Sequence, residues 1–134
     1  MVETTNSLDL SVSLKKNHIK PVCHTIKSCL RLCELNFSWC KLTDNPFSVI
    51  VSILYTLPSL SSMNVSTNCI TLESIHLLAS VRPIPSLLSL NLSWNPLGDL
   101  SLPSITTIMA TSKLGTLKLT GCQYTKTLFQ SGRQ

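Results

Sequence analysis

Cysteine and histidine are the residues of this sequence best suited to metal binding or catalysis. The chain has six cysteines and three histidines. Cys23, His24, Cys29 and Cys33 fall within one short segment, but they lack the paired CxxC spacing of a zinc site, and Cys29 and Cys33 are one helical turn apart among apolar neighbours. Reduced, buried thiols are the expectation, with metal binding as the alternative. We therefore predict no metal and no cofactor.

A nucleophilic cysteine would need a nearby base. Cys40 and Cys122 occupy equivalent places in the sequence pattern described below, but no histidine has a matching place beside either of them. The sequence has no nucleophile elbow, glycine-rich phosphate loop or paired carboxylate motif, and it has only six acidic residues. These features predict that the protein is not an enzyme.

Leucine spacing indicates the elements that position all other residues. In the segment 87–97, LLSLNLSWNPL, leucines stand at positions 1, 4, 6 and 11, and Asn95 stands at position 9. This is the LxxLxLxxNxL pattern. The same pattern recurs at Leu32, Leu35, Phe37, Cys40 and Leu42; at Leu60, Met63, Val65, Asn68 and Ile70; and at Leu114, Leu117, Leu119, Cys122 and Tyr124. Below, a repeat position counts from the first residue of each copy.

A fifth, imperfect copy can be placed at the amino end. Asp9 then takes position 1, and Val12, Leu14, Asn17 and Ile19 follow, with a shortened step to the next copy at Leu32. Alternation of polar and apolar residues predicts a strand over 11–14. The other copies predict strands over 34–38, 62–66, 89–93 and 116–120.

Apolar residues between these strands recur at helical spacing. The first helix is expected to begin at Pro21, and the fourth near Pro103. The second is expected to be capped by Asp44 or Asn45, with Pro46 at its first position, and the third to be capped by Thr71. The inward residues would be Val22, Ile26, Cys29 and Leu30; Phe47, Ile50, Val51, Leu54 and Leu57; Leu72, Ile75, Leu78 and Ala79; and Ile105, Ile108 and Met109. Strands joined by helical crossovers pair in parallel, so the prediction is an α/β solenoid of about five strand–helix units, with a concave parallel sheet and convex helices.

The length of the units resembles that of a known family. Units of 27 to 28 residues with cysteine or asparagine at position 9 resemble the ribonuclease-inhibitor type of leucine-rich repeat, as in NLR sensors, Ran GTPase-activating proteins and the tonsoku-like scaffold. The resemblance covers about residues 9–124. It implies one leucine-rich-repeat array over residues 1–134 that is incomplete at one or both ends and belongs to a longer protein. Uncapped apolar ends would favour self-association.

Position 9 lies where the chain leaves the strand, and an asparagine there can both donate and accept hydrogen bonds. The predicted turn residues are Asn17, Cys40, Asn68, Asn95 and Cys122. The cysteines offer only a weak S–H donor, so we expect their turns to be held less firmly.

Positions 5, 7 and 8 are expected on the concave face or its rim. Position 5 would hold Ser13, Asn36, Asn64, Asn91 and Lys118; position 7, Lys15, Ser38, Ser66, Ser93 and Thr120; position 8, Lys16, Trp39, Thr67, Trp94 and Gly121. The predicted partner-binding residues are Trp39, Trp94, Asn36, Asn64, Asn91, Ser38, Ser66 and Ser93. Exposed tryptophans anchor partners, and these two would be on the order of 10 Å apart. The alternative is that each indole covers its own turn.

The sequence thus predicts a noncatalytic protein–protein interaction module that binds a partner on the concave sheet. The alternative is a regulatory leucine-rich-repeat portion of a larger signalling protein, a GTPase activator or an NLR-type sensor.

Net charge is +5, with six basic residues in the first third of the chain, but no aromatic and arginine groove accompanies them. A solvated flank is therefore favoured over a nucleic-acid site. A polar, acidic amino terminus and the lack of a long apolar run predict an intracellular protein, cytoplasmic or nuclear, without membrane association.

Overall fold

The computed structural model describes residues 5–12 and 18–125, which form one parallel sheet with helices packed against it. The strands are β1 (Ser7–Asp9), β2 (Glu34–Asn36), β3 (Ser62–Asn64), β4 (Ser89–Asn91) and β5 (Thr116–Lys118), and they pair in sequence order. The α-helices are α1 (Ile19–Ile26), α2 (Asp44–Ile53), α3 (Leu72–Ser80) and α4 (Leu102–Thr111). Short 3₁₀ turns span Leu54–Thr56 and Asp99–Ser101. The predicted α/β leucine-rich-repeat solenoid is confirmed.

The sheet pairs residues of equal repeat position, and this register builds the core. Leu35 lies opposite Met63, and Met63 lies opposite Leu90. The residues at positions 4 and 6 of the second, third and fourth repeats are buried between sheet and helices, as predicted. Leu117 and Leu119 hold the same positions but are only partly buried, because β5 is an edge strand. Each inner repeat therefore depends on a neighbour on both sides to complete its core.

The predicted strand over 11–14 is not found in its described part, because residues 11 and 12 lie in a turn; residues 13 and 14 are outside the described residues. The first strand is Ser7–Asp9, and Leu8 pairs with Leu35, which lies one regular repeat step downstream. Position 5 of this repeat is therefore Asp9 rather than Ser13, and position 8 is Val12 rather than Lys16. The expectations for Ser13, Lys15, Lys16 and Asn17 lie outside the described residues. Pairing with β2 determines the register, and a one-residue shift would turn every side chain to the opposite face.

Three helix details also differ from the expectations. Helix α1 begins at Ile19, so Pro21 stands within its first turn, where a missing N–H costs nothing. Helix α1 ends at Ile26, which leaves Leu30 beyond the helix and exposed. Met109 is exposed as well, whereas Ile105 and Ile108 are buried as expected.

Of the two predicted caps, only the one at Thr71 is present. The N-cap of α2 is Thr43, which makes no side-chain cap hydrogen bond, so the prediction of Asp44 or Asn45 as cap is wrong, and Pro46 is the third residue of the helix. Thr71 caps α3 by accepting a hydrogen bond from the Glu73 backbone N–H at 3.3 Å. Asp44 joins the start of α2 to the start of α3, because its carboxylate accepts hydrogen bonds from the Thr71 backbone N–H at 2.9 Å, from the Thr71 hydroxyl at 2.5 Å and from the Ser74 hydroxyl. Burial raises the pKa of Asp44, but the hydrogen bonds from Ser74 and Thr71 outweigh it, so the pKa lies below its ordinary value. Asp99 makes the equivalent contact in the fourth repeat, accepting from the Thr125 backbone N–H at 3.0 Å.

The Asp44 contact predicts a specific pH dependence. A lowered folded-state pKa means that the contribution of Asp44 is fully present above the unfolded-state pKa and is lost as the pH falls through the folded-state pKa. We expect Asp44→Ala to lower the free energy of unfolding by about 1–3 kcal/mol at pH 7, and the difference from the wild type to shrink as the pH falls below about 4. Urea denaturation between pH 2.5 and 7 measures both, with the exposed Glu73→Gln as control. A constant difference over that range would contradict the assignment.

Candidate functional site

The turn after each strand is held by the side chain at repeat position 9. Asn68 and Asn95 are buried. The Asn68 Oδ1 accepts from the backbone N–H groups of Cys40 and Leu42 in the preceding repeat, at 3.0 and 2.9 Å, and its Nδ2 donates back to the Phe37 carbonyl at 3.0 Å. Asn95 accepts from the Ile70 N–H at 3.1 Å and donates to the Val65 carbonyl at 3.0 Å. Each asparagine thus satisfies backbone groups of two successive turns.

Cys40 and Cys122 fill position 9 differently. Their S–H groups donate to the carbonyls of Leu10 and Leu92, each at 3.2 Å. Both carbonyls belong to position 6 of the preceding repeat, and the Phe37 and Val65 carbonyls that accept from Asn68 and Asn95 are at the same position. Burial raises the pKa of the Cys122 thiol, while backbone hydrogen bonds from Asn95 and Trp94 act in the opposite direction. The neutral thiol is therefore the stable form, which fits a structural role.

Cysteine turns also differ from asparagine turns in backbone conformation. Lys41 and Gln123, the residues after the two cysteines, have φ of 54° and 64°. The corresponding residues after the asparagines, Cys69 and Pro96, are not in the left-handed region. An asparagine also donates within its own turn, as from Asn68 Nδ2 to the Val65 and Ser66 carbonyls at 2.9 and 3.1 Å. Cysteine offers one weak donor in place of the amide: the Cys40 Sγ lies 3.5 Å from the Ser38 carbonyl of its own turn, and the cysteine turns follow a second path with a left-handed residue at position 10.

Position 8 is left-handed in all five repeats. The φ values are 56° at Val12, 59° at Trp39, 54° at Thr67, 59° at Trp94 and 68° at Gly121. This conformation directs the side chain away from the core, and Val12, Trp39 and Trp94 are 76%, 64% and 59% exposed. We call these five residues the rim row. The imperfect first copy of the sequence pattern puts Val12 at position 4. A regular repeat step from Leu8 to Leu35 would have put it at position 8, where the structure has it.

Trp94 lies over the turn of the next repeat. A Cβ built on Gly121 would come within 2.2 Å of the Trp94 Cε3 atom, so the indole rests against the Gly121 backbone. One face of the ring is thereby occupied, yet the side chain remains more than half exposed. The indole therefore covers backbone of the next repeat rather than its own turn, and it still presents an apolar surface to solvent.

The position 7 serines do not form part of the concave surface. Ser38, Ser66 and Ser93 are buried, each at most 9% exposed. Each strand ends at position 5, so position 7 already lies in the segment that turns away from the sheet. The Ser93 hydroxyl accepts a hydrogen bond from the Thr120 backbone N–H at 3.1 Å. Their assignment as partner-binding residues is therefore wrong.

The position 5 asparagines do lie on the sheet surface. Asn36, Asn64 and Asn91 form a ladder of paired residues and are half-buried. The Oδ1 of each accepts from the backbone N–H two residues later, at 2.9, 2.9 and 3.0 Å. Asp9 and Lys118 extend this ladder at its two ends and are exposed. We call the three asparagines the asparagine ladder.

The remaining residues suited to chemistry are dispersed. Cys23 is buried within α1, and desolvation raises its thiol pKa to about 11. Burial also raises the pKa of Cys29. Over residues 5–12 and 18–125, no three histidine, cysteine or acidic side chains converge as metal ligands. No helix in the described part of the chain is long and apolar enough to span a bilayer.

Comparison with known proteins gives a sequence relative and structural neighbours. No protein-family model matches the chain. A Tonsoku-like protein from Danio rerio is 28% identical over 129 residues, a match that covers 91% of this chain but only 9% of that protein. The chain thus spans a small part of the curated relative that it matches.

Two solved structures share the fold. Leiomodin-1 Actin-Binding Site 2 superposes with a TM-score of 0.71 and 13% identity over 96% of this chain and 75% of that one. The tropomodulin C-terminal domain of Caenorhabditis elegans gives a TM-score of 0.72 and 16% identity over 86% of this chain and 73% of that one. At these identities the similarity establishes the fold alone.

The two kinds of turn predict unequal tolerance of cysteine at position 9. In Asn68→Cys the next residue, Cys69, can adopt positive φ, whereas in Asn95→Cys the next residue is Pro96, whose ring holds φ at about −65°. We expect Asn68→Cys to lose about 1–2 kcal/mol of stability and Asn95→Cys to lose about 1–2 kcal/mol more. Urea denaturation of the two variants, with both alanine variants as references, measures this. Equal losses of stability for the two cysteine variants would show that cysteine at position 9 does not require a left-handed residue after it.

The Trp94 contact predicts a selective spectroscopic change. With Trp39→Phe as background, Trp94 is the single indole, and Gly121→Ala should displace it and shift its fluorescence emission. Gly98→Ala is the matched control, because Gly98 has φ of 75° but nothing within 4 Å of an added Cβ. Both alanines should cost about 1 kcal/mol or more through the left-handed backbone. An identical emission spectrum for Gly121→Ala and its background would show that the ring does not rest there.

Proposed function

We propose that this chain is a noncatalytic protein-interaction module that binds a partner along the concave sheet, with Trp39 and Trp94 as its anchors. The observation that carries the proposal is the exposure of two tryptophans in strained, left-handed positions of the same rim row. Large aromatic side chains dominate the binding energy of protein interfaces. A strained conformation fixes their direction before a partner arrives, which lowers the entropy cost of binding.

The surroundings of the tryptophans fit the same role. Val12 adjoins Trp39, since its backbone N–H donates to the Ser38 carbonyl at 3.2 Å, and it extends the apolar part of the rim row. The asparagine ladder uses its side-chain oxygens within its own turns. Its amide NH₂ groups therefore supply hydrogen-bond donors beside an apolar edge. A central apolar anchor with polar neighbours is the usual composition of an interface.

We also propose that the array is of the ribonuclease-inhibitor type, that its repeats form a single domain, and that the protein acts inside the cell. The alternative function is a regulatory part of a larger protein. The match to only 9% of the Tonsoku-like relative supports that alternative, because a short array within a long protein can position other domains. Both functions use the same concave surface, and they differ in whether the partner is a separate chain.

Replacing both anchors should weaken partner capture without unfolding the array. We expect Trp39→Ala with Trp94→Ala to reduce affinity by about 2 kcal/mol or more. Quantitative mass spectrometry of proteins captured by the immobilised chain identifies the partner, and calorimetry with the purified partner measures the loss. Actin is the first defined protein to test, because the leiomodin neighbour is named as an actin-binding site.

Two control variants separate binding from packing. Leu100→Ala removes an exposed apolar side chain from the 3₁₀ turn before α4, and we expect affinity to be unchanged. Leu92→Ala removes a fully buried leucine and should cost about 2–5 kcal/mol of stability. If the double tryptophan variant loses as much stability as Leu92→Ala, the indoles are packing residues and the proposed anchor role is wrong.

A further inference from the structure

We propose that the side of the array at which the strands begin binds an acidic segment of a partner protein, and that this segment also carries apolar side chains. The surface consists of the connections that lead from each α-helix to the next strand. We call it the start surface, and it comprises residues 27–33, 54–61, 81–88 and 112–115. It lies at the opposite end of the strands from the rim row, so it is separate from the proposed concave site.

The charged residues of the start surface all have the same sign. Four exposed cations lie there: Lys27, Arg31, Arg82 and Lys113. The acidic residues of the described chain lie elsewhere, in strands or at the starts of helices: Asp9, Glu34, Asp44, Glu73 and Asp99. The start surface is therefore a region of positive potential, which attracts an anionic partner.

One of these cations is held in place before any partner arrives. The Arg82 guanidinium lies over the Tyr55 ring, 5.1 Å from the ring centroid. The Tyr55 hydroxyl donates a hydrogen bond to the Arg82 carbonyl, so two contacts join these residues of successive repeats. A guanidinium can bind a carboxylate through two parallel hydrogen bonds. Because its side chain is already ordered, Arg82 loses less conformational entropy on binding than an unsupported arginine would.

Exposed apolar side chains accompany the cations. Leu30 and Leu88 are 55% and 52% exposed. Three prolines of the start surface are exposed as well: Pro58, Pro83 and Pro85. The dipoles of the helices favour cations near their carboxyl ends, but they do not account for leucines exposed beside those cations. The combination of positive charge and apolar surface fits a partner that is both acidic and apolar.

Backbone hydrogen bonds make this surface continuous across the array. The position 2 N–H of one repeat donates to the position 2 carbonyl of the preceding repeat, at 2.8 Å for Ser61, 2.9 Å for Leu88 and 2.8 Å for Gly115. Adjacent strands are about 4.8 Å apart, so Cys33 and Gly115, at the two ends of this series, are separated by about 14 Å. An extended segment of about four or five residues spans that distance. A short peptide can therefore contact several repeats at once.

These features favour an acidic peptide over other anions. A nucleic acid would need aromatic side chains on which its bases stack, and Tyr55, the one aromatic residue of the start surface, has a ring face covered by Arg82. A membrane contact needs apolar side chains that reach about 5–10 Å into the lipid. Leu30 and Leu88 are each about half covered by the chain itself. A peptide can instead place carboxylates on the cations and pack its own apolar side chains on these leucines.

Peptide selection tests the predicted chemistry of the partner. The probe is a random dodecapeptide library displayed on phage, and the target is the immobilised full chain. Negative selection on the variant Arg31→Gln with Arg82→Gln and Leu88→Ser removes peptides that bind elsewhere. We expect the remaining peptides to be enriched in aspartate and glutamate together with leucine, isoleucine and phenylalanine. Recovery of peptides without acidic enrichment, or of no peptides, would overturn the proposal.

Fluorescence anisotropy of a selected peptide measures the contribution of each feature. We expect Arg31→Gln with Arg82→Gln to raise the dissociation constant roughly tenfold, because charged hydrogen-bond donors are lost. Leu88→Ser should raise it roughly fivefold through lost apolar burial. Serine is compatible with this place, since Ser61 holds the same position in the preceding repeat. Affinity should also fall as the salt concentration rises.

Matched substitutions at the opposite end of the strands serve as controls. Lys41→Gln removes an exposed cation, and glutamine is compatible with its left-handed backbone, because Gln123 has φ of 64° at the same repeat position. Leu100→Ser removes an exposed leucine. These variants, and Trp39→Ala with Trp94→Ala, should leave the dissociation constant within about twofold. Circular dichroism confirms that each variant is folded. Equal losses in the control and start-surface variants would show attraction by net charge alone and refute the site.

Two further probes separate an acidic peptide from other anionic partners. Phosphatidylcholine vesicles that contain phosphatidylserine test a membrane by co-sedimentation, and duplex DNA tests a nucleic acid by anisotropy. We expect the chain to bind both more weakly than the selected peptide. Tighter binding of either probe, lost in Arg31→Gln with Arg82→Gln, would overturn the acidic peptide as the occupant of the start surface.

Discussion

The chain must turn beneath its own sheet after each strand, and the backbone groups of each turn have no strand partner. Asn68 and Asn95 meet this requirement by bonding backwards to the preceding repeat and inwards to their own turn. Each buried amide left without a partner would cost about 1–3 kcal/mol. The stacking of successive repeats depends on these turns, which asparagine and cysteine at position 9 hold along two different backbone paths.

The same turns determine what the surface presents. The residue that precedes position 9 is left-handed where the chain leaves the strand, and left-handed backbone directs the side chain outwards. Gly121 shows that glycine serves at this position, and Thr67 shows that a small polar residue does. Trp39 and Trp94 add a large exposed apolar side chain to a backbone conformation that most residues avoid. Folding does not require a tryptophan at position 8, so binding is a better explanation than packing for the presence of these two indoles.

Sequence spacing suffices for the four regular repeats because apolar residues recur at positions 1, 4 and 6 of each of them. It misplaces the first repeat because two alignments fit the amino end of the chain. One puts Asn17 at position 9 of an imperfect copy, and the other, which the structure adopts, places Leu8 one regular repeat step before Leu35. It places the position 7 serines on the surface because polar and apolar residues alternate beyond the point at which each strand ends. The contact of Trp94 with Gly121 depends on ring orientation, which no periodicity encodes.

Repeated units create an ambiguity that their sequence must also resolve. When every repeat has the same frame, any exposed edge strand can accept another, and backbone hydrogen bonds do not distinguish one pairing from the next. The neutral asparagines at position 5 of the inner strands do not distinguish one strand pairing from another either. At position 5 the described strands differ at the two ends of the sheet, where β1 has Asp9 and β5 has Lys118, so charge at this position separates the outer strands from the three inner ones.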